Sequence, residues 1–444
     1  MDEKGNPVPW LATGWNYSAD MKSLTFTLKQ GVQFHDGTSF NAAAVKYCLD
    51  KYRTSTYPEL KTVTSIDVVD DYTVRLNLSE FQACFLANFA TFPGEIVSPA
   101  CIQAYDEQWL NNNLAAGTGP FKFVSYQKDV NIKYVRFDGY WQKGKPYLDA
   151  LETTIITDET AALTAFKAGQ AQTIGYTPNI AADLQKEGKY IITGAPSGAF
   201  GLAGDSANPG SPFADIRVRQ AVAYAIDNEA VAKTAGYGFL QASNQPAIPG
   251  SWAFNKDVVG YPYNPQKAKQ LLTAAGYPSG FKTRLIYNSI SLSTPVSIAF
   301  PLIQTYLKAI GIDAELQGVS PDLFQKTCTG GWNNALIQCN ITGGMDNDPG
   351  KALRDALSVK SGNFVSILHP ADYEAMLADS IAQPDFEKRK ILTQSAIKMI
   401  VDGYCLQNTI FINRPMRASY PAVHDMRRSE VWFNQWTPED AWIS

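Results

Sequence analysis

The sequence predicts an α/β protein of more than one domain. Three observations carry this. The chain has 444 residues, more than one ordinary core organises. Strand-like alternation and helix-like periodicity take turns along its whole length. Hydrophobic residues make up 45% and charged residues 18%, a globular composition.

The same inventory removes several function classes. A net charge of -4 offers no basic field for nucleic acid. No apolar run reaches the roughly 18 residues that cross a bilayer. The three histidines, His35, His369 and His424, are scattered, which argues against a metal centre and against most histidine-dependent catalysis. The six cysteines contain no CxxC pair, so a zinc ribbon is not expected. Buried free thiols are the expected state, and Cys328 with Cys339 is the closest candidate for a bridge. Met1 is followed by Asp2, Glu3 and Lys4, which is no signal peptide. The chain is therefore expected to be a fragment.

Elements follow in order. Leu24–Leu28 and Val74–Leu78 alternate strictly and read as half-buried strands. Between them Asp36-Gly37 signals a turn, and Asn41 can cap a helix burying Val45, Leu49 and Tyr52. His35 reads as a structural residue that ties down this turn. Phe81–Cys101 is aromatic and nearly uncharged, which fits a core helix and loop or the wall of a ligand cleft; both readings stay open for Phe89 and Phe92. Gly117–Phe121 (GTGPF) precedes a hairpin and lacks the lysine and spacing of a phosphate loop. Ala150–Ile174 reads strand, helix, strand.

Phe213–Ala235 gives two tandem helices, the first capped by Asp215 and the second by Asp227 or Asn228. In Gly260–Phe281, Asn264 caps, Pro265 opens the helix, and Ala268, Leu271, Leu272 and Ala275 form one apolar face before Gly276. A strand at TRLIYN, a helix over Ile298–Ile310 and a strand at DAELQ follow. Trp332–Pro349 reads as a buried strand ending in a polar, glycine-rich loop, the position at which open α/β sheets hold ligands. Asp348 and Pro349 read as a turn. Asp372–Val401 reads as one long helical stretch, and GYCLQNTIFIN as a closing strand.

Three phrases, FADIRVRQAVAYAID, GYPYNPQKAKQLLTAAGYPSGF and KAIGIDAEL, together with GVQFHDGTSF and GTGPF, resemble in order and wording the bacterial extracellular solute-binding proteins of family 5. The resemblance implies a two-lobed periplasmic-binding-protein-like α/β fold (type II, cluster C) with an extra small subdomain and a hinge. It implies residues 1–148 as the small subdomain and the start of lobe 1. Residues 149–240 would be the lobe 1 core, 241–412 lobe 2 and 413–444 a return to lobe 1. Because the chain begins almost at the family phrase matching GNPVPWLA, the first strand of lobe 1 is expected to be missing.

The resemblance further implies a non-enzymatic receptor, periplasmic or lipid-anchored outside the cytoplasmic membrane. It would be monomeric and free of metal and cofactor. It would trap a small ligand between its lobes and present it to an ABC transporter permease. An oligopeptide is the expected ligand; a sugar, opine or metal chelate is the alternative, and a hydrolase on the same scaffold the least expected. The loop NITGGMDNDP departs from the dipeptide-binding pattern, with Gly344 or Met345 where relatives carry the amine-pairing aspartate and Asp346 displaced beside it. The expected ligand-binding residues are Phe89, Phe92, Phe200, Trp252, Asn340, Thr342, Gly343, Gly344, Met345, Asp346 and Tyr404. Trp432 and Trp442 are expected in the core.

Overall fold

The computed structural model describes Asp2 and residues 6–55, 59–105, 113, 115–289, 295–341, 349–426 and 438–444. The chain divides into two compact units. One comprises Met1–Ile174 with the described residues from Ser419 onward; the other is built on Gly175–Ala418.

In the first unit, β1 (Ala12–Tyr17), β2 (Ser23–Leu28), β3 (Val63–Asp70) and β4 (Thr73–Leu78) form an antiparallel sheet in the order β1-β2-β4-β3. The strict alternation read from the sequence is realised. Leu24, Phe26 and Leu28 point into the core with Val74, Leu76 and Leu78, while Thr27 and Arg75 face out. Helix α1 (Ala42–Arg53) buries Val45 and Leu49 on this core, and Asn41 caps it by accepting from the Ala44 N–H. His35 pins the preceding turn as expected. Its Nε2 meets the Gly119 carbonyl at 2.9 Å and its backbone N–H donates to Gly117, so the turn is tied to the GTGPF loop.

The aromatic stretch after β4 forms two short 3-10 turns at Leu86–Ala90 and Phe92–Gly94, then α2 (Pro99–Ala104). Strands β5 (Phe121–Gln127), β6 (Asn131–Arg136) and β7 (Ala150–Thr154) make a three-stranded antiparallel sheet, and α3 (Glu159–Lys167) follows. Near the C-terminus, β17 (Val423–His424) pairs β18 (Trp442–Ile443). Trp442 was expected in the core; instead it is 39% exposed, stacks on His424 and donates to Asp425, because a two-residue ribbon has no buried face to offer it. Trp432 lies outside the described residues.

A small sheet in the order β8-β16-β9 joins β8 (Thr173–Tyr176), β9 (Ile191–Gly194) and β16 (Met416–Ser419). Helix α4 (Pro178–Glu187) lies between the first two in sequence. The second unit is organised by a six-stranded sheet, order β11-β15-β10-β14-β12-β13. Its strands are β10 (Gly198–Gly204), β11 (Gln241–Ala242), β12 (Phe281–Asn288), β13 (Ile312–Val319), β14 (Ala335–Gln338) and β15 (Asn408–Asn413). Every residue of β10 and β14 is buried, as expected of central strands covered on both faces.

The helices of this unit start where the caps predict. Asp215 opens α5 (Ile216–Ala225), Asp227 rather than Asn228 opens α6 (Asn228–Ala235), and Asn264 opens α7 (Pro265–Ala274). Helix α8 (Val296–Ala309) packs Phe300, Ile303 and Leu307 on the sheet, and α9 (Pro321–Gly330) follows β13. Pro349 does not end a turn but begins α10 (Pro349–Leu357).

The helical stretch expected over Asp372–Val401 is two helices, α11 (Ala371–Ala382) and α12 (Phe386–Lys398), extended by a π-helical turn, Met399–Gly403. Pro384 cannot continue the first, and Asp385 caps the second by accepting from Lys388. The six cysteines are free thiols, Cys328 and Cys339 among them.

Candidate functional site

Strands β12, β13 and β14 run parallel, whereas β10 runs antiparallel to β14 and to β15. Four strands of the second unit therefore end at one edge of its sheet. That edge collects Asn288, Gln338, Asn340 and Asn413, with Gly198 at the start of β10. Carboxyl ends of parallel strands are where α/β sheets bind ligands, because backbone and loop groups there are unpaired by neighbouring strands.

The edge is rigidly built. The Gln338 side chain accepts from the Asn288 N–H at 3.2 Å and so fixes the exit of β12 against that of β14. The Cys339 N–H donates to Gly201, and its carbonyl accepts from Gln407 Nε2 at 3.0 Å. Gln407 reaches across β10 to do this. It can do so only over a glycine, since a Cβ on residue 201 would overlap the Gln407 amide and the Asn408 carbonyl. Thr409 donates to the other end of the same amide at 2.6 Å. Beyond this point Ile341 bridges back to Ala199. Between the two fixed points sits Asn340, whose Oδ1 is buried and accepts no hydrogen bond. An unsatisfied buried amide oxygen costs stability unless a ligand or water completes it.

The other expected site residues are distributed differently. Thr342, Gly343, Gly344, Met345 and Asp346 lie outside the described residues. Phe200 is fully buried, stacked on Phe411 at 4.5 Å and edge-on to Phe300. Its ring offers no surface to a solute and belongs to the core. Tyr404 sits before β15, at the end of that strand opposite Asn340. Its hydroxyl donates to Asp372, which raises its pKa, and its carbonyl is held by Arg219.

Trp252 is half-buried against Phe386, with the Arg389 guanidinium 5.5 Å from its ring centre and its carbonyl bonded by Gln394. In the first unit Phe89 packs on Phe26 and Phe85 in the core, and Phe92 is 59% exposed. Among the described residues of the expected set in the second unit, then, the structure brings Asn340 alone to the sheet edge.

Two groups escaped the sequence reading. Arg417 in β16 is half-buried, and burial lowers its pKa; Tyr176 in β8 has a buried hydroxyl with no partner, and burial raises its pKa. The only available signal was an arginine placed between two buried apolar residues in the short strand MRAS. The thiols are ill suited to nucleophilic chemistry. Burial pushes Cys328 and Cys405 up to about 12 and Cys339 higher still. Among the described residues no group of acidic, histidine and cysteine side chains could hold a metal ion, and no helix is long and apolar enough to cross a membrane.

The family described as "Bacterial extracellular solute-binding proteins, family 5 Middle" matches residues 6–353. The chain is 32% identical over 312 residues to the glutathione-binding protein GsiB of Pectobacterium atrosepticum, covering 69% of this chain and 60% of that protein. It is 31% identical over 306 residues to the dipeptide-binding protein of Escherichia coli, covering 63% and 56%. The chain thus spans well under two thirds of the length of these relatives.

Among solved structures it is similar to NikA from Brucella suis in complex with Fe(III)-EDTA. The TM-score is 0.85 at 23% identity, over 98% of this chain and 92% of that one. It is also similar to DppA from Helicobacter pylori in complex with the peptide STSA, with a TM-score of 0.83 at 24% identity over 100% and 90%. At such identities the likeness is one of fold, the two-lobed α/β fold of periplasmic binding proteins. With the family match spanning most of the chain, this protein belongs to the bacterial extracellular solute-binding proteins of family 5.

Proposed function

We propose that the protein is the extracytoplasmic receptor of an ABC importer, and that it captures a peptide-type solute and delivers it to a membrane permease. It works as a monomer, in the periplasm or held by a lipid at the outer face of the cytoplasmic membrane, and does no chemistry on its cargo. The observation that carries this reading is the Asn340 Oδ1, left without a partner where the parallel strands end. A neutral acceptor at a rigid sheet edge suits recognition of N–H groups such as those of a peptide backbone. The relatives named for glutathione and dipeptides support the same class of cargo. Asp346, close by in sequence, is the proposed partner of a peptide amino group.

Native mass spectrometry of the purified protein, followed by calorimetric titration with trialanine, glutathione, heme and agropinic acid, tests the reading. Saturable binding of trialanine or glutathione is expected. Binding confined to heme or agropinic acid would replace the peptide with the non-peptide cargo, and turnover of any bound compound would overturn the receptor role itself.

A further inference from the structure

Strand β10 is bulged where it passes the Asn340 edge. Its register against β15 shifts between Phe200 and Gly201. Against β14 it pairs Leu202 with Gln338, and Ala199 bridges to Ile341, so Gly201 stands opposite Cys339 and Phe200 opposite Asn340. Ala199 and Ile341 exchange two backbone bonds, of 2.8 and 3.0 Å. At Gly201 the Cys339 N–H donates to the glycine carbonyl at 2.8 Å, but the Cys339 carbonyl takes a side chain, Gln407 Nε2, at 3.0 Å. Bulges interrupt the ladder, re-aim side chains and recur beside binding sites.

Gln407 is a costly side chain to place here. It and Thr409 are each 1% exposed, in a segment that also buries Ile410 and Phe411. A buried amide costs more than a hydrocarbon of its size unless its polar atoms are bonded. This amide is bonded at both ends. Thr409 Oγ1 donates to Gln407 Oε1 at 2.6 Å and so fixes which end faces Cys339. Hydroxyl, amide and carbonyl form a directional series in which each bond polarises the next. The series ends on the peptide group that joins Cys339 to Asn340, the residue whose Oδ1 is buried and unpartnered. An aliphatic side chain of similar length would fill the same space and leave that peptide group free to tilt.

We propose that Gln407 is a positioning residue of the solute site. It touches no cargo, and it holds the Cys339–Asn340 peptide group so that Asn340 Oδ1 meets an N–H of the cargo in one orientation. The proposal rests on the receptor reading above and adds to it the residue on which the aim of Asn340 depends.

The test has two readouts. The first is calorimetric titration of trialanine and glutathione into wild type, Asn340→Ala, Gln407→Leu, the double variant and Thr409→Val. Asn340→Ala is expected to bind on the order of fivefold more weakly, the worth of one neutral hydrogen bond. Gln407→Leu should lose about as much, Thr409→Val less, and the double variant no more than about twofold beyond Asn340→Ala alone, because the two side chains act as one. The second readout is amide hydrogen exchange of the unliganded proteins. In Gln407→Leu, exchange at the Cys339 and Ile341 N–H groups should rise beyond any rise at Leu285 and Ile286, which pair in the same sheet away from the edge. A residue that only stabilises the fold would raise exchange uniformly and leave the affinity of the folded protein unchanged.

Wild-type affinity in folded Gln407→Leu overturns the proposal. So does a double variant whose two losses multiply, since Gln407 would then act apart from Asn340, and so does an Asn340→Ala that binds as tightly as wild type. Should Gln407→Leu fail to fold, Thr409→Val takes its place, alone and combined with Asn340→Ala, under the same criteria. If wild type binds neither trialanine nor glutathione, the peptide reading falls and exchange alone decides: a local rise keeps Gln407 as the residue that holds Asn340, and a uniform or absent one overturns it.

Discussion

At the scale of single residues, the second unit depends on a buried cation held by backbone carbonyls. Arg219 is 6% exposed and donates to four backbone carbonyls, those of Phe213, Ala214, Tyr404 and Cys405. Cys405 has a left-handed φ of 47°, and the π-helical turn Met399–Gly403 precedes it. The guanidinium thus stabilises a backbone that neither helix nor sheet satisfies. Arg219→Met keeps much of the side-chain volume and leaves those carbonyls without donors. It should lower the free energy of unfolding by about 3 kcal/mol, read as a fall in the urea midpoint at unchanged slope.

His35 makes a different prediction. Burial, the largest effect, holds its pKa below the ordinary 6.5, so the fold favours the neutral ring. The unfolded chain then binds more protons than the folded one. The sign follows: the stability His35 contributes is complete above pH 6.5 and is lost as pH falls from there toward the depressed folded value. Thermal melts between pH 5 and 7.5 should show a descent toward acid that is shallower in His35→Gln; parallel curves for the two proteins would reject the assignment.

Secondary-structure elements were largely legible in the sequence, for local reasons. Caps were read from side chains that bond their own first turn, and Asn41, Asp215, Asp227 and Asn264 each accept from an N–H two or three residues on. Alternation placed β2 and β4, since one face of each meets a core and the other meets water. What failed was non-local. The run Asp372–Val401 was read as one helical stretch, although the backbone at Pro384 cannot continue a helix. Phe200 was read as a cleft residue because nothing in its own segment reveals that Phe411, far along the chain, covers it.

Arg417 was invisible for the converse reason. A missing partner is a property of the fold and leaves no mark in the sequence. Among the described residues, Asn340 does lie at the sheet edge, since a polar residue following a buried strand marks such an edge from sequence. The capping argument has its own test in α7. Asn264→Ala removes the acceptor for the Lys267 N–H and should cost about 1 kcal/mol of stability. Asn264→Asp, which keeps the acceptor, should restore it in the same thermal or urea melts.

For the molecule as a whole, the division of the chain decides what can fold alone. The unit built on Gly175–Ala418 is close to a single continuous segment, whereas the other is assembled from residues before Ile174 and after Ser419. The continuous unit closes two hydrophobic clusters of its own. One is centred on Phe200, Phe213, Phe300 and Phe411, the other on Trp332, Tyr373, Leu353 and Ile397. Its six-stranded sheet is completed within its own residues.

The first unit has a core of its own too, from Leu24 to Ile96, but its later part depends on the far end of the chain. Tyr420 donates through its hydroxyl to the Phe166 carbonyl and through its N–H to Gln172. A segment whose core and hydrogen bonds are internal needs no partner to fold. Gly175–Ala418 expressed alone should therefore give a single cooperative melt and dispersed amide resonances. Met1–Ile174 alone should lose order around α3, where Tyr420 is absent, while keeping the β1–β4 sheet. Hydrogen exchange on the two fragments reads this directly. Uniform rapid exchange across β10 and β14 of the longer fragment would show that its cores need the rest of the chain. Protection of α3 in the shorter fragment would show that Tyr420 contributes nothing to it.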